Sequence, residues 1–225
     1  MYHQNEPGGV IGQEKWLHGL LAAYAAGTLP PALHAMMGAH LCLNPSNRQY
    51  VAALETLATN ELDCCRPQPV PGRDAKLAAI YGCGQLSSPE KAMTGETVPR
   101  ALRAYAGSCF DSVAWSPFEN GLRMCKLGAC GEGKGRLVEM QPGVAFPTCA
   151  LGEDVEFILV LTGVLSDGAN DHRTGDIVVR QDPAWQAHVM GTATCLCFAV
   201  RAPRLALKCP MSKALQAAFP TEARA

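Results

Sequence analysis

The chain has 225 residues, 48% hydrophobic and 17% charged, a balance that excludes a disordered polar chain and allows one or two domains with a sizeable core. A net charge of −1 supplies no basic field for nucleic acid, and no run of about 18 apolar residues offers to span a membrane. The N-terminal MYHQNEPGG has neither a basic leader nor an apolar core, so the expectation is a cytoplasmic protein without nucleic-acid or membrane contacts.

The first predicted helix covers Gln13–Ala26, where Leu17, Leu20, Leu21 and Tyr24 fall at helical spacing and Gly27 supplies the stop. Pro30-Pro31 open a second helix with the stripe Leu33, Met36, Met37, His40 and Leu41, which puts His40 on an apolar face. Asn44-Pro45 reads as the N-cap and first turn of a third helix, with Val51, Leu54, Ala58 and Leu62 inward. A Pro-rich break, Arg66–Asp74, leads to a short amphipathic segment in which Leu77, Ile80 and Tyr81 share a face. Such a small helical unit would gain stability from a metal or a partner.

Residues 84–97 form a polar, turn-rich linker, and Ala101–Ala106 a short helix expected to dock beside the C-terminal strands. Strand-like runs stand at Leu122–Leu127, Arg136–Met140, Gly143–Phe146, Val155–Leu165, Asp176–Arg180, Ala184–Met190 and Ala193–Val200. Short strands between Gly/Pro/Asp turns imply an all-β sandwich or small barrel. In the central run Phe157, Leu159 and Leu161 take one face and Ile158 and Val160 the other, so this strand should be covered on both sides. Gly163 allows a bend or a close backbone approach. His172 falls in the polar turn Asp167–Asp176 and reads as a surface residue. Beyond the barrel, Met211, Leu215 and Phe219 suggest a short terminal helix.

Eleven cysteines include the pairs Cys64-Cys65, Cys125-x4-Cys130 and Cys195-x-Cys197 but no C-x2-C, so neither a zinc ribbon nor a thioredoxin-type motif is present. They read as reduced, mostly buried small hydrophobes, Cys42 among them.

Two stretches carry a family likeness. Ala22–Pro30 (AAYAAGTLP) followed by Ala39–Arg48 (AHLCLNPSNR) resembles the zinc-binding anti-sigma domain of the ChrR family. The order Val98-Pro99, Trp115, Gly121-Leu122-Arg123, Pro142-Gly143, Leu159-Val160-Leu161, Ser166-Asp167, Gly175-Asp176 and Cys195-Leu196-Cys197 resembles the cupin domain of that family. The resemblance implies an α+β chain: a helical anti-sigma-like domain over 1–83, the linker, a cupin-like barrel over 98–202 and an extension over 203–225. It also implies a protein that binds and inhibits an extracytoplasmic-function-type sigma factor, with Leu17, Leu20, Leu77 and Ile80 as contact candidates. A homodimer through the barrel is a further expectation.

Both metal-ligand sets of the family are broken in this sequence. Its H-x3-C-x2-C falls on His40, Asn44 and Asn47, and a further family histidine falls near Lys15. Amides and a cationic Lys do not suit zinc. Its barrel H-x-H-x3-E falls on Ala150, Gly152 and Glu156, and a later His on Gln186. The expectation is therefore no zinc or other divalent cofactor and no catalysis, with His40, Cys149, Glu156 and His188 as residual metal candidates. The alternative is a cupin enzyme or small-molecule-binding cupin whose helical part serves only for dimerisation.

Overall fold

In the computed structural model, residues 10–63, 66, 68–82, 98–128, 134–147 and 150–203 are described. Cys149, the linker at 84–97 and the stripe Met211, Leu215, Phe219 lie outside them.

The helices are α1 (Val10–Ala25), α2 (Pro31–Leu43), α3 (Arg48–Asp63), α4 (Arg73–Gly82) and the short α5 (Arg103–Ala106). Gly27 ends α1 at φ 65°, a conformation costly for residues with a Cβ. The third helix starts later than expected. Asn44 makes no side-chain cap bond, Pro45–Asn47 forms a 3-10 turn, and α3 begins at Arg48. The Asn44 side chain instead accepts the Ser46 hydroxyl. Arg48 satisfies the open end of α2, with Nε donating to the Leu41 carbonyl (2.7 Å) and Nη2 to that of Cys42 (3.2 Å). Cys42 itself is exposed, not packed.

The strands are β1 (Leu122–Leu127), β2 (Lys134–Met140), β3 (Asp154–Thr162), β4 (Val164–Ser166), β5 (Asp171–Arg173), β6 (Ile177–Arg180), β7 (His188–Val189) and β8 (Cys195–Pro203). A five-stranded antiparallel sheet runs β1-β2-β8-β3-β6, and a three-stranded sheet runs β5-β4-β7. The expected runs at 143–146 and 184–190 contract to one bridge, Ala145 to His188, and to the two residues of β7. The polar turn at 167–176 is in fact a hairpin, with β5 as its return strand. His172 is buried there: its Nε2 pairs with Asp167 Oδ2 at 3.1 Å, and Leu165 lies opposite it on β4.

Gly163 separates β3 from β4 at φ 84°, and a Cβ at this position would sit 2.7 Å from the Thr194 carbonyl and 2.8 Å from Cys195 Cα. Glycine is thus the residue that lets the chain bend against β8 and pass into the second sheet.

The two faces of β3 belong to two cores. Ile158 and Val160 point between the sheets, into a lumen filled by Val138, Met140, Phe146, Leu165, Val178 and Val189 among others. Val155, Phe157, Leu159 and Leu161 point outward, where α1 and α2 cover them with Leu20, Leu21, Leu33, Met36 and Met37. Trp16 meets Phe157 edge-on, ring centroids 6.3 Å apart. The helical part is therefore stabilised by the outer face of the barrel. The segment at 100–106 completes this layer: Val98 and Leu102 are fully buried, and Gly38 of α2 leaves room for Ala101.

Candidate functional site

Three places carry the chemistry singled out in the sequence: His40 at the helix–barrel junction, the charged end of the lumen, and α4.

His40 lies one turn from the end of α2 and is 1% exposed. Its Nδ1–H donates to the Gly175 carbonyl at 2.6 Å, and its Nε2 accepts from the Asn47 side-chain amide at 2.8 Å. Both ring nitrogens are thus engaged and the neutral Nδ1–H form is selected. Burial pushes its pKa below the ordinary value, against the opposing pull of the Gly175 carbonyl and the Asp176 carboxylate. Gly175 can approach because it has no side chain: at φ 94°, its Cβ would stand 3.3 Å from Leu43 Cβ and 3.4 Å from Asn44 Cβ. The set does not fit zinc. The Asn47 amide N–H occupies the lone pair a metal would take, and neither Asn44 nor Asn47 offers a thiolate. What remains is a hydrogen-bonded junction between α2 and the β5–β6 turn.

In the lumen Glu156 is buried and faces two guanidiniums. Arg136 Nη2 donates to Oε1 at 2.7 Å and to the Pro147 carbonyl at 3.2 Å, and Arg180 Nη1 stands 3.3 Å from Oε2. Glu156 and Arg180 are direct partners across β3 and β6, and Arg180 is fully buried. Arg136 also lies over the Phe146 ring, 5.6 Å from its centroid. Buried charges are tolerated only when paired, and here cations stand around the carboxylate where a divalent metal would need open donors. His188 is exposed while its neighbours Ala187 and Val189 point inward, so the fold does not bring it to Glu156. This end of the barrel does not fit a metal either. Sequence reasoning missed Arg136 and Arg180. The visible signal was an arginine at an inward position of the alternating run Val178-Val179-Arg180, which becomes meaningful only with the register.

The contact candidates separate by exposure. Leu20 is 0% exposed inside the shared core, and Leu17 is half-buried against it. Leu20 therefore has no surface to offer a partner. On α4 no residue is buried: Leu77 is half-exposed, Ile80 is 65% exposed and Tyr81 81%. The neighbouring part of α3 is also open, with Leu57 exposed and Ala58, expected inward, exposed as well. An amphipathic helix with its apolar face in water is otherwise unfavourable.

No family model matches the sequence. Over 204 residues the chain is 28% identical to the anti-sigma-E factor ChrR of Cereibacter sphaeroides, covering 89% of this chain and 94% of ChrR. Its fold is similar to that in the crystal structure of Rhodobacter sphaeroides SigE in complex with the anti-sigma ChrR, with a TM-score of 0.64 and 27% identity over 82% of this chain and 96% of that one. In sequence and in fold, over most of its length, the chain is thus similar to the anti-sigma factor ChrR.

Proposed function

We propose that this protein is a cytoplasmic anti-sigma factor that binds and inhibits an extracytoplasmic-function-type sigma factor, and that it does so without zinc. The observation that carries the reading is α4, an amphipathic helix whose Leu77, Ile80 and Tyr81 are left open to solvent among the described residues. The similarity to ChrR, solved in complex with SigE, supplies the class of partner. Burying such a face in a groove of a partner is recognition by an amphipathic helix and needs no catalytic group. The lumen supports the same choice over a cupin enzyme, since apolar side chains and the Glu156–arginine set occupy it.

The test is complex formation between the full chain and the sigma factor encoded beside it, followed by calorimetry and a transcription assay. Fully burying an isoleucine is worth about 1.5–3 kcal/mol, so Ile80→Asp should weaken the complex by roughly one to two orders of magnitude. Folding should be unchanged, because the site is exposed. Absence of any complex with the folded protein sinks the function. Unchanged affinity in both Ile80→Asp and Leu77→Asp removes α4 from the interface.

A further inference from the structure

The helical layer carries a groove that neither the ion-paired lumen nor α4 uses. It has a volume of about 510 Å³ and lies where the α1–α2 turn, α2 and the segment at 100–106 meet. Tyr24 and His34 stack in its lining with ring centroids 4.5 Å apart, and Tyr105 joins them with Ala35, Gly38 and Ala101. At Gly38 the two sides close on each other, since a Cβ there would stand 2.8 Å from that of Ala101. His34 and Ala104 are exposed, so the groove opens to solvent. None of its ten lining residues is Asp, Glu, Lys or Arg.

We propose that this groove is the docking site of the chain's own C-terminal extension, with Leu215 and Phe219 seated against the Tyr24–His34 stack and Tyr105. The extension supplies a matching face. Pro210 and Pro220 bracket Met211–Phe219, the first suited to an opening turn and the second to a stop. Met211, Leu215 and Phe219 recur at i, i+4 and i+8, one side of a helix. The one charge in that stretch, Lys213, falls about 200° around the helix from Met211, away from the stripe. An uncharged face thus meets an uncharged groove.

Position favours this occupant over a free partner. The last strand, β8, ends at Pro203, and Ala202 just before it is buried in the same core as Leu29, Leu33 and Ala35. Residues 204–210 reach at most about 23–25 Å, whereas α2, at 13 residues, is about 20 Å long. A tethered segment within reach holds an effective concentration on the order of millimolar, which a free partner would have to exceed. Docked there, the extension straps the end of β8 to the helical unit and closes the groove to other helices, leaving α4 open.

The experiment places a photoreactive group in the full-length protein, Phe219→p-benzoylphenylalanine, and maps the cross-linked peptides by mass spectrometry. The cross-links should fall within residues 24–38 or 101–105 of the same chain, a readout that needs no change in the groove. Hydrogen exchange gives the second arm. Amides 211–219 should exchange more slowly in wild type than in Leu215→Asp/Phe219→Asp, and Ala104→Glu, at the exposed rim, should remove the same protection. Cross-links elsewhere in the chain, cross-links joining two copies, or no cross-link at all would overturn the proposal. So would tail amides that exchange in wild type at the rate of an unstructured peptide, or protection that Ala104→Glu leaves intact.

Discussion

Replacing Phe157 by Ala is the most direct probe of the shared core between helices and barrel. Phe157 is 0% exposed on the outer face of β3 and meets Trp16 of α1 edge-on. Truncating a buried Phe costs about 3–5 kcal/mol, and the aromatic pair, worth about 0.5–1.5 kcal/mol beyond area, places this site in the upper half of that range. For a chain of this size each kcal/mol moves Tm by about 2–4 °C, so Phe157→Ala should melt roughly 8–20 °C lower. The informative assay is hydrogen exchange by mass spectrometry alongside calorimetry. A shared core requires that α1 and α2 lose protection together with β3 and β8. Leu20→Ala, which opens the same core from the helical side, should do the same at about 2–5 kcal/mol. Two separate transitions, only one of them moved by Phe157→Ala, would refute the shared core.

Further expectations concern the junction and the lumen. The lowered native pKa of His40 means that the unfolded chain binds the extra proton first. Stability from this group is therefore complete above the unfolded value near 6.5 and is lost as pH falls through the lowered native value; urea unfolding of wild type and His40→Phe across that window should show the slope only in wild type. Gly175→Ala combines a left-handed backbone, about 1–2 kcal/mol, with crowding of Leu43 and Asn44. It should cost more than Gly168→Ala, where φ is 84° but nothing lies within 4 Å, in parallel thermal melts. Glu156→Gln leaves the Arg136 and Arg180 guanidiniums facing a neutral amide in a buried site and should cost about 3–5 kcal/mol by urea unfolding. A loss below about 1 kcal/mol would mean that the carboxylate is not what holds the two arginines there.

Much of this molecule is legible in local pattern. The stripe Leu17, Leu20, Leu21, Tyr24 and the alternation within Glu156–Leu165 announce a helix and a strand covered on both sides, because side-chain periods of 3.6 and 2 follow from backbone geometry alone. Gly163 stands where the chain bends and another backbone comes close, as a glycine inside a strand-like run suggests. Set against the family likeness, the residues at 40, 44 and 47 lack the thiolates that pattern uses for zinc, since donor type is a property of the side chain and needs no fold.

Other features are invisible at that level. An apolar stripe does not name its cover: Leu20 and Ile80 both lie on amphipathic helices, yet one is sealed against the barrel and the other faces water. His172, expected on the surface, is sealed in a hairpin whose return strand the polar residues around it conceal. There burial raises the pKa of Asp167, and the hydrogen bonds from His172, Asn170 and Ala169 more than offset it, leaving the carboxyl below its ordinary value.

What the sequence by itself determined was the order of helices and strands, the apolar faces and the donor types available at positions 40, 44 and 47. Only the tertiary structure decided that His40 bonds to Gly175, 135 residues away, that Arg180 answers Glu156, and that His188 turns outward. Those outcomes depend on strand register and on which layers meet. A shift of one residue would exchange every inward and outward side chain, and only the packed sheet and helices select among the registers.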